Sequence, residues 1–101
     1  MDHEVSEFLN TRAHIVIRGV VQGVFFRSSA KRYADSLGVK GWIRNLSSGA
    51  VEGIFEGEES AVKKLIEYSR KGPTRAVVDN VSVSFEAYQG EFEDFKIKYR
   101  N

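Results

Sequence analysis

The chain has 101 residues, 42% hydrophobic and 12% aromatic, with a formal net charge of +1. That is the size of one domain, with apolar mass for a core and no room for a second. Cysteine is absent, which excludes disulfides, thiolate catalysis and thiolate metal sites; no apolar run approaches the roughly 20 residues of a membrane span, and the polar opening Met1-Asp2-His3-Glu4 is unlike a signal peptide, so a soluble, cytoplasmic, monomer-sized domain is expected.

Residues 1–11 carry Asp2, Glu4 and Glu7 without a clean period and read as an extension to a domain spanning 12–101. Residues 13–20 are β-rich, with Ala13, Ile15 and Ile17 on one face and His14, Val16 and Arg18 on the other, the pattern of a central strand. A glycine-bearing segment, Gly19 to Gly23, interrupts it. Phe26, Ala30, Tyr33, Ala34 and Leu37 then recur at helical spacing, and Gly38 stands where a helix stops. The next strand, 39–46, sets Val39, Gly41, Ile43 and Asn45 on one side, and Ser47-Ser48-Gly49 turns into a third, 50–56. There Val51, Gly53 and Phe55 are expected inside, with Ala50, Glu52, Ile54 and Glu56 outside.

A second helix is expected over Glu59–Lys71 on the stripe Ala61, Val62, Leu65, Ile66 and Ser69, closed by Gly72-Pro73. Val81, Val83, Phe85 and Ala87 alternate with Ser82, Ser84, Glu86 and Tyr88 in a fourth strand. After the Gln89-Gly90 turn, Phe95, Ile97 and Tyr99 alternate with Lys96, Lys98 and Arg100 in a short last one. The order β-α-β-β-α-β plus a terminal strand defines an α+β ferredoxin-like sandwich, an antiparallel sheet with both helices on one face.

The small net charge hides an uneven distribution. Between residues 12 and 44 stand Arg12, Arg18, Arg27, Lys31, Arg32, Lys40 and Arg44 against Asp35 alone, a bias that favours an anionic ligand. In this topology the first two strands run the same way with the third between them, so their carboxyl ends share one edge, about 10 Å apart at two strand spacings. Gly19-Val20-Val21-Gln22-Gly23-Val24-Phe25-Phe26-Arg27 leaves the first strand and Ile43-Arg44-Asn45 ends the second. The loop, the start of the first helix, Arg27 and Asn45 therefore converge.

Each part has a use. Glycines at 19 and 23 let backbone amides turn inward as a nest, and a helix start favours a phosphate. Arg27 adds a permanently charged fork, and Asn45 can orient a water without competing for its protons. His3 falls in the extension and His14 away from the loop, and no His/Asp/Glu cluster has metal-ligand spacing. A site of this kind suits a phosphate whose leaving group needs no proton. An acyl phosphate qualifies, since it expels a carboxylate that is anionic above a pKa of about 4, whereas a phosphate monoester would need more apparatus.

These residues resemble a known family. The segment from Gly19 to Arg27 is similar to the G-x-V-Q-G-V-x-F-R signature of acylphosphatases, and the segment from Gly41 to Glu52 to their G-W-V-R-N-x-x-D-G-x-V-E. Gly72-Pro73 followed by Ala76 and Val78, and the ending Phe95-Lys96-Ile97-Lys98-Tyr99, also match the pattern. The resemblance implies hydrolysis of acyl phosphates to carboxylate and inorganic phosphate, with no metal and no cofactor. It implies Arg27 as the phosphate-binding arginine, Asn45 as the positioner of the attacking water, and the backbone of Val20, Val21, Gln22, Gly23, Val24, Phe25 and Phe26 as the phosphate cradle. Inorganic phosphate, the product, is then an expected competitive inhibitor. Gln22 is expected to brace the loop. Ala30 stands where many members have Thr, so any hydroxyl near the helix start comes from Ser28 or Ser29, and Ser48 replaces the usual hairpin acid.

Two other readings use the same topology. RNA-recognition domains stack bases on aromatic residues of the open sheet face; the third strand offers Ala50, Glu52, Ile54 and Glu56 there, so no nucleic-acid partner is expected. A non-catalytic domain that binds phosphate or carbamoyl phosphate for regulation is the alternative within the family resemblance, and Arg27 and Asn45 together argue for the enzyme.

Overall fold

The computed structural model describes residues 9–99. Along the chain follow β1 (Asn10–Val20), α1 (Phe26–Leu37), β2 (Lys40–Asn45), β3 (Val51–Glu58), α2 (Glu59–Lys71), β4 (Val77–Glu86) and β5 (Phe95–Lys98). The strands form one sheet in the order β4-β1-β3-β2-β5. β3 is antiparallel to both β1 and β2, which sends the carboxyl ends of β1 and β2 to the same edge. Of the expected extension, residues 1–8 lie outside the described residues, while Asn10 and Thr11 open β1 opposite Glu58 and Gly57.

Four strands obey the antiparallel expectation; β5 departs from it and joins β2 in parallel. Connectivity is the cause. β4 runs antiparallel to β1 and finishes with Glu86 beside Arg12, at the end of the sheet where β2 begins. The chain then crosses from one edge to the other and enters β5 at that same end, with Phe95 beside Gly41.

The core lies between the sheet and the helices. Ala13, Ile15 and Ile17 of β1, Ile43 of β2 and Val51 and Phe55 of β3 meet Phe26, Ala30 and Ala34 of α1 and Val62, Leu65 and Ile66 of α2. α1 stops where Gly38 takes φ 75° and its N–H reaches back to the carbonyls of Ala34 and Asp35, a left-handed cap that glycine adopts without cost. Tyr33 does not join the core. Its ring is tilted against Tyr68 of α2 with centroids 4.8 Å apart, and Tyr68 donates to Ser29 Oγ at 2.7 Å, which ties the two helices together.

The outward face of β3 is where periodicity misleads. Ile54 and Glu56 are expected outside, yet they are 6% and 1% exposed, and Ala50 is buried too. Ile54 is flanked on its own face by His14 of β1 and Trp42 of β2, whose cross-strand side chains cover it. Glu56 is covered by the crossing from β4 to β5. Its Oε2 accepts the backbone N–H of Gln89 at 2.8 Å and of Gly90 at 3.3 Å, and Arg12 Nη1 at 3.1 Å. Arg12 also reaches Glu86 and Glu91 and lies 5.4 Å from the centroid of the Phe92 ring. Burial pushes the Glu56 carboxyl up, but the Gln89 amide, the Arg12 guanidinium and the Gly90 amide outweigh it and hold the carboxyl below its ordinary value. One buried carboxylate thus fastens the crossing to the sheet.

Candidate active site

At the opposite end of the sheet the chain leaves β1 through Gly19. The pairing of β1 with β4 shifts register between Arg18 and Gly19. A Cβ on Gly19 would lie 2.1 Å from the Val77 carbonyl oxygen, so this glycine allows the two strands to approach at a bulge. Its reason is therefore strand packing, and the loop's left-handed turn falls to Gly23 at φ 76°.

The loop is fixed from beneath. Gln22 Nε2 donates to the carbonyls of Leu46 and Ala50 at 2.7 and 2.8 Å, pinning the loop to the hairpin between β2 and β3. The expected brace is therefore present. Beyond it Phe25 takes φ 66° and ψ 25° as the residue before α1, the one non-glycine with positive φ among the described residues. For a residue with a Cβ this conformation costs about 1 kcal/mol or more.

α1 begins without a side-chain cap and without an acidic residue in its first turn. Its first backbone bond joins Ser29 N–H to the Phe25 carbonyl at 3.1 Å, which leaves the amides of Phe26, Arg27 and Ser28 without intrahelical acceptors. Unpaired amides and the positive end of the helix dipole receive anions. Ser28 supplies the hydroxyl at this rim, its Oγ 3.2 Å from the Phe25 carbonyl, whereas Ser29 is turned inward toward Phe26 and Tyr68.

A cleft of about 320 Å³ opens here, walled by the loop and α1 on one side and by the ends of β2 and β5 on the other. It brings together Val21, Gly23, Phe25, Phe26 and Arg27 with Asn45, as the sequence leads one to expect, and adds Ser28, Ile97 and Tyr99. Val20, Gln22 and Val24 do not line it: Val20 pairs with Val77 in the sheet, Gln22 is the brace, and Val24 is buried. Arg27 is the only charged side chain among the described residues that line the cleft, and its guanidinium stacks 5.0 Å from the centroid of the Tyr99 ring. Alternation sets Tyr99 on the face of Phe95 and Ile97, but it gives no sign that α1 brings Arg27 onto that ring.

Asn45 ends β2 opposite Val51. Its Oδ1 is buried and has no hydrogen-bond partner among the described residues, an arrangement that costs free energy unless a donor arrives. The neighbouring Arg44 is kept away from the cleft by alternation: its Nη2 and Nε bind Glu52 Oε1 at 2.7 Å on the open face. His14 Nε2 lies 2.7 Å from the other Glu52 oxygen. Burial pushes the Glu52 carboxyl up, but its bonds to His14 and Arg44 outweigh this and hold it below the ordinary range. Among the described residues no group of three or more His, Asp or Glu is arranged to hold a metal.

The class this defines is a ferredoxin-like domain with an anion-receptive loop at the carboxyl edge of its sheet. Known proteins carry the assignment further. The acylphosphatase family profile matches residues 13–97. The acylphosphatase of Pelotomaculum thermopropionicum is 51% identical over 88 residues, covering 87% of this chain and 96% of that one. Among solved structures, an acylphosphatase from Coxiella burnetii superposes with a TM-score of 0.83 at 37% identity, over 88% of this chain and 93% of its own. The Bacillus subtilis acylphosphatase gives 0.85 at 31% identity, over 88% and 99%. The chain belongs to the acylphosphatase family and is an enzyme that hydrolyses acyl phosphates.

Proposed function

We propose that Arg27 and Asn45 carry this hydrolysis, Arg27 by holding the phosphoryl group and Asn45 by orienting the attacking water. The phosphoryl oxygens lie against the free amides at the start of α1 and the loop backbone at Val21, Gly23 and Phe25, with the Arg27 fork neutralising the charge that spreads over them in the transition state. Stacking on Tyr99 limits the swing of that fork. The Asn45 side-chain amide holds a water so that the water's oxygen lone pair faces phosphorus; the convergence of Asn45 and Arg27 in one cleft is the observation that carries the reading. A water oxygen–phosphorus bond forms as the bond to the bridging oxygen breaks. The carboxylate leaves with the electron pair, and the water's protons end on the inorganic phosphate. No group needs to protonate the leaving oxygen.

Inorganic phosphate uses the same cradle and is a competitive inhibitor. In this reading the enzyme acts as a monomer. A chain without cysteine fits work in a reducing compartment such as the cytoplasm. No helix of the described residues is long and apolar enough to cross a membrane.

Benzoyl phosphate hydrolysis in the presence of EDTA, with inhibition by inorganic phosphate, tests the roles. Arg27→Ala should lose most of its phosphate affinity and nearly all turnover. Asn45→Ala should lose about 100-fold or more in kcat while its Ki for phosphate moves far less. Unaltered phosphate inhibition in Arg27→Ala, or a loss confined to binding in Asn45→Ala, would overturn the respective role.

A further inference from the structure

The proposed roles account for the phosphoryl half of the cleft and leave its apolar half unused. Gly23, Arg27, Ser28 and Asn45 supply polar groups, while Phe25, Ile97 and Tyr99 supply apolar surface. Phe25 is the unusual member. It is 71% exposed, whereas the adjacent Phe26 is 2% exposed. Glycine or asparagine would hold the left-handed backbone at position 25 more easily, so the fold does not call for phenylalanine there. Tyr99 is engaged with Arg27, but the Phe25 ring has no aromatic or cationic partner among the described residues.

From these features we infer that the Phe25 ring is a specificity-determining contact for the acyl half of the substrate, favouring flat apolar acyl groups, aromatic ones above all, over small ones such as acetyl. The inference rests on the acyl-phosphate reading of the same cleft. A single bridging oxygen separates the acyl carbon from phosphorus, so an acyl group whose phosphate sits in the loop lies within reach of the apolar rim to which Phe25 contributes beside Ile97 and Tyr99. A flat acyl group covers the ring and removes both surfaces from water; an acetyl group is too small to do so.

The test is the ratio of kcat/KM for benzoyl phosphate to that for acetyl phosphate, in the wild type, Phe25→Asn and Phe25→Tyr. Asparagine tolerates the left-handed backbone, so the first variant keeps the fold. The ratio is expected to fall about five- to tenfold in Phe25→Asn and to be retained in Phe25→Tyr. Calorimetric affinities for the non-hydrolysable benzoylmethyl and acetylmethyl phosphonates give the same ratio without turnover, so a slow variant still reports. A ratio unmoved in Phe25→Asn, by rate or by affinity, overturns the inference alone, whereas a wild type that hydrolyses neither substrate takes down the acyl-phosphate reading with it.

Discussion

Gln22 shows how a residue can serve a site without entering it. Both carbonyls it binds already take part in the hairpin: the Leu46 carbonyl accepts from Gly49 N–H at 3.1 Å and the Ala50 carbonyl from Leu46 N–H at 2.8 Å. Replacing Gln22 with leucine therefore leaves neither carbonyl orphaned, and the global cost should be only about 1 kcal/mol. The loop loses its anchor, however, and its amides lose their fixed aim. Gln22→Leu is expected to weaken phosphate inhibition about tenfold while the urea midpoint falls modestly. Full retention of the phosphate Ki would show that the loop holds its shape without the brace. Arg27, Asn45 and Gln22 were legible from the sequence because strand order and a specific motif place them. The left-handed Phe25 was not, since no propensity marks phenylalanine for that conformation, and the burial of Glu56 was hidden because strict alternation turns a carboxylate outward.

At the scale of elements, the junction of β1, β4 and the loop is the most constrained part of the fold. α2 matched its expected bounds, Glu59–Lys71, because an amphipathic stripe and a Gly-Pro stop agree on them. β4 begins at Val77, before the alternating run from Val81, and ends at Glu86. Val77 and Val78 are held there by partners on β1, Val20 and Gly19, which no pattern local to β4 could reveal. The parallel entry of β5 was likewise set by where the crossing lands. Gly19→Ala tests the junction. The added methyl would meet the Val77 carbonyl and would sit 2.8 Å from the Asp79 backbone nitrogen, and both obstacles are main chain that cannot swing aside. At φ 133° the backbone itself also resists a side chain. We expect destabilisation of about 3 kcal/mol or more by chemical denaturation, with any folded fraction impaired in phosphate binding because the loop starts at this residue. A loss below about 1 kcal/mol would mean that β4 can shift away and that the bulge is not needed.

Across the whole molecule, the two ends of the sheet have been given different work. One end opens the cleft between β1, α1, β2 and β5. The other, about 26 Å away along β1, binds the crossing to the sheet through Glu56, Arg12, Glu86 and Glu91. This separation predicts an acid sensitivity of stability that does not originate in catalysis. Glu56 has its carboxyl held low in the folded state, so its contribution is fully present above the unfolded carboxylate pKa of about 4.3 and is lost as pH falls through the lower folded value. Lys40 is its cross-strand neighbour on β2, and Glu86 and Glu91 share Arg12 with it. Glu56→Gln keeps an acceptor for the Gln89 amide but leaves Arg12 with less compensating charge. It should cost about 2 kcal/mol or more at pH 7 and flatten the fall in stability below about pH 4.5. The slope should not vanish, because Glu52 is also held low. Urea titrations of both proteins from pH 3 to pH 7 would measure this. The folded variant should meanwhile turn over benzoyl phosphate at pH 7 within about twofold of the wild type. An unchanged acid slope would move the origin of acid lability to Glu52 and its partners His14 and Arg44. A collapse of kcat in the folded variant would mean that the crossing, which delivers β5 and with it Ile97 and Tyr99 to the cleft, transmits its position from one end of the sheet to the other.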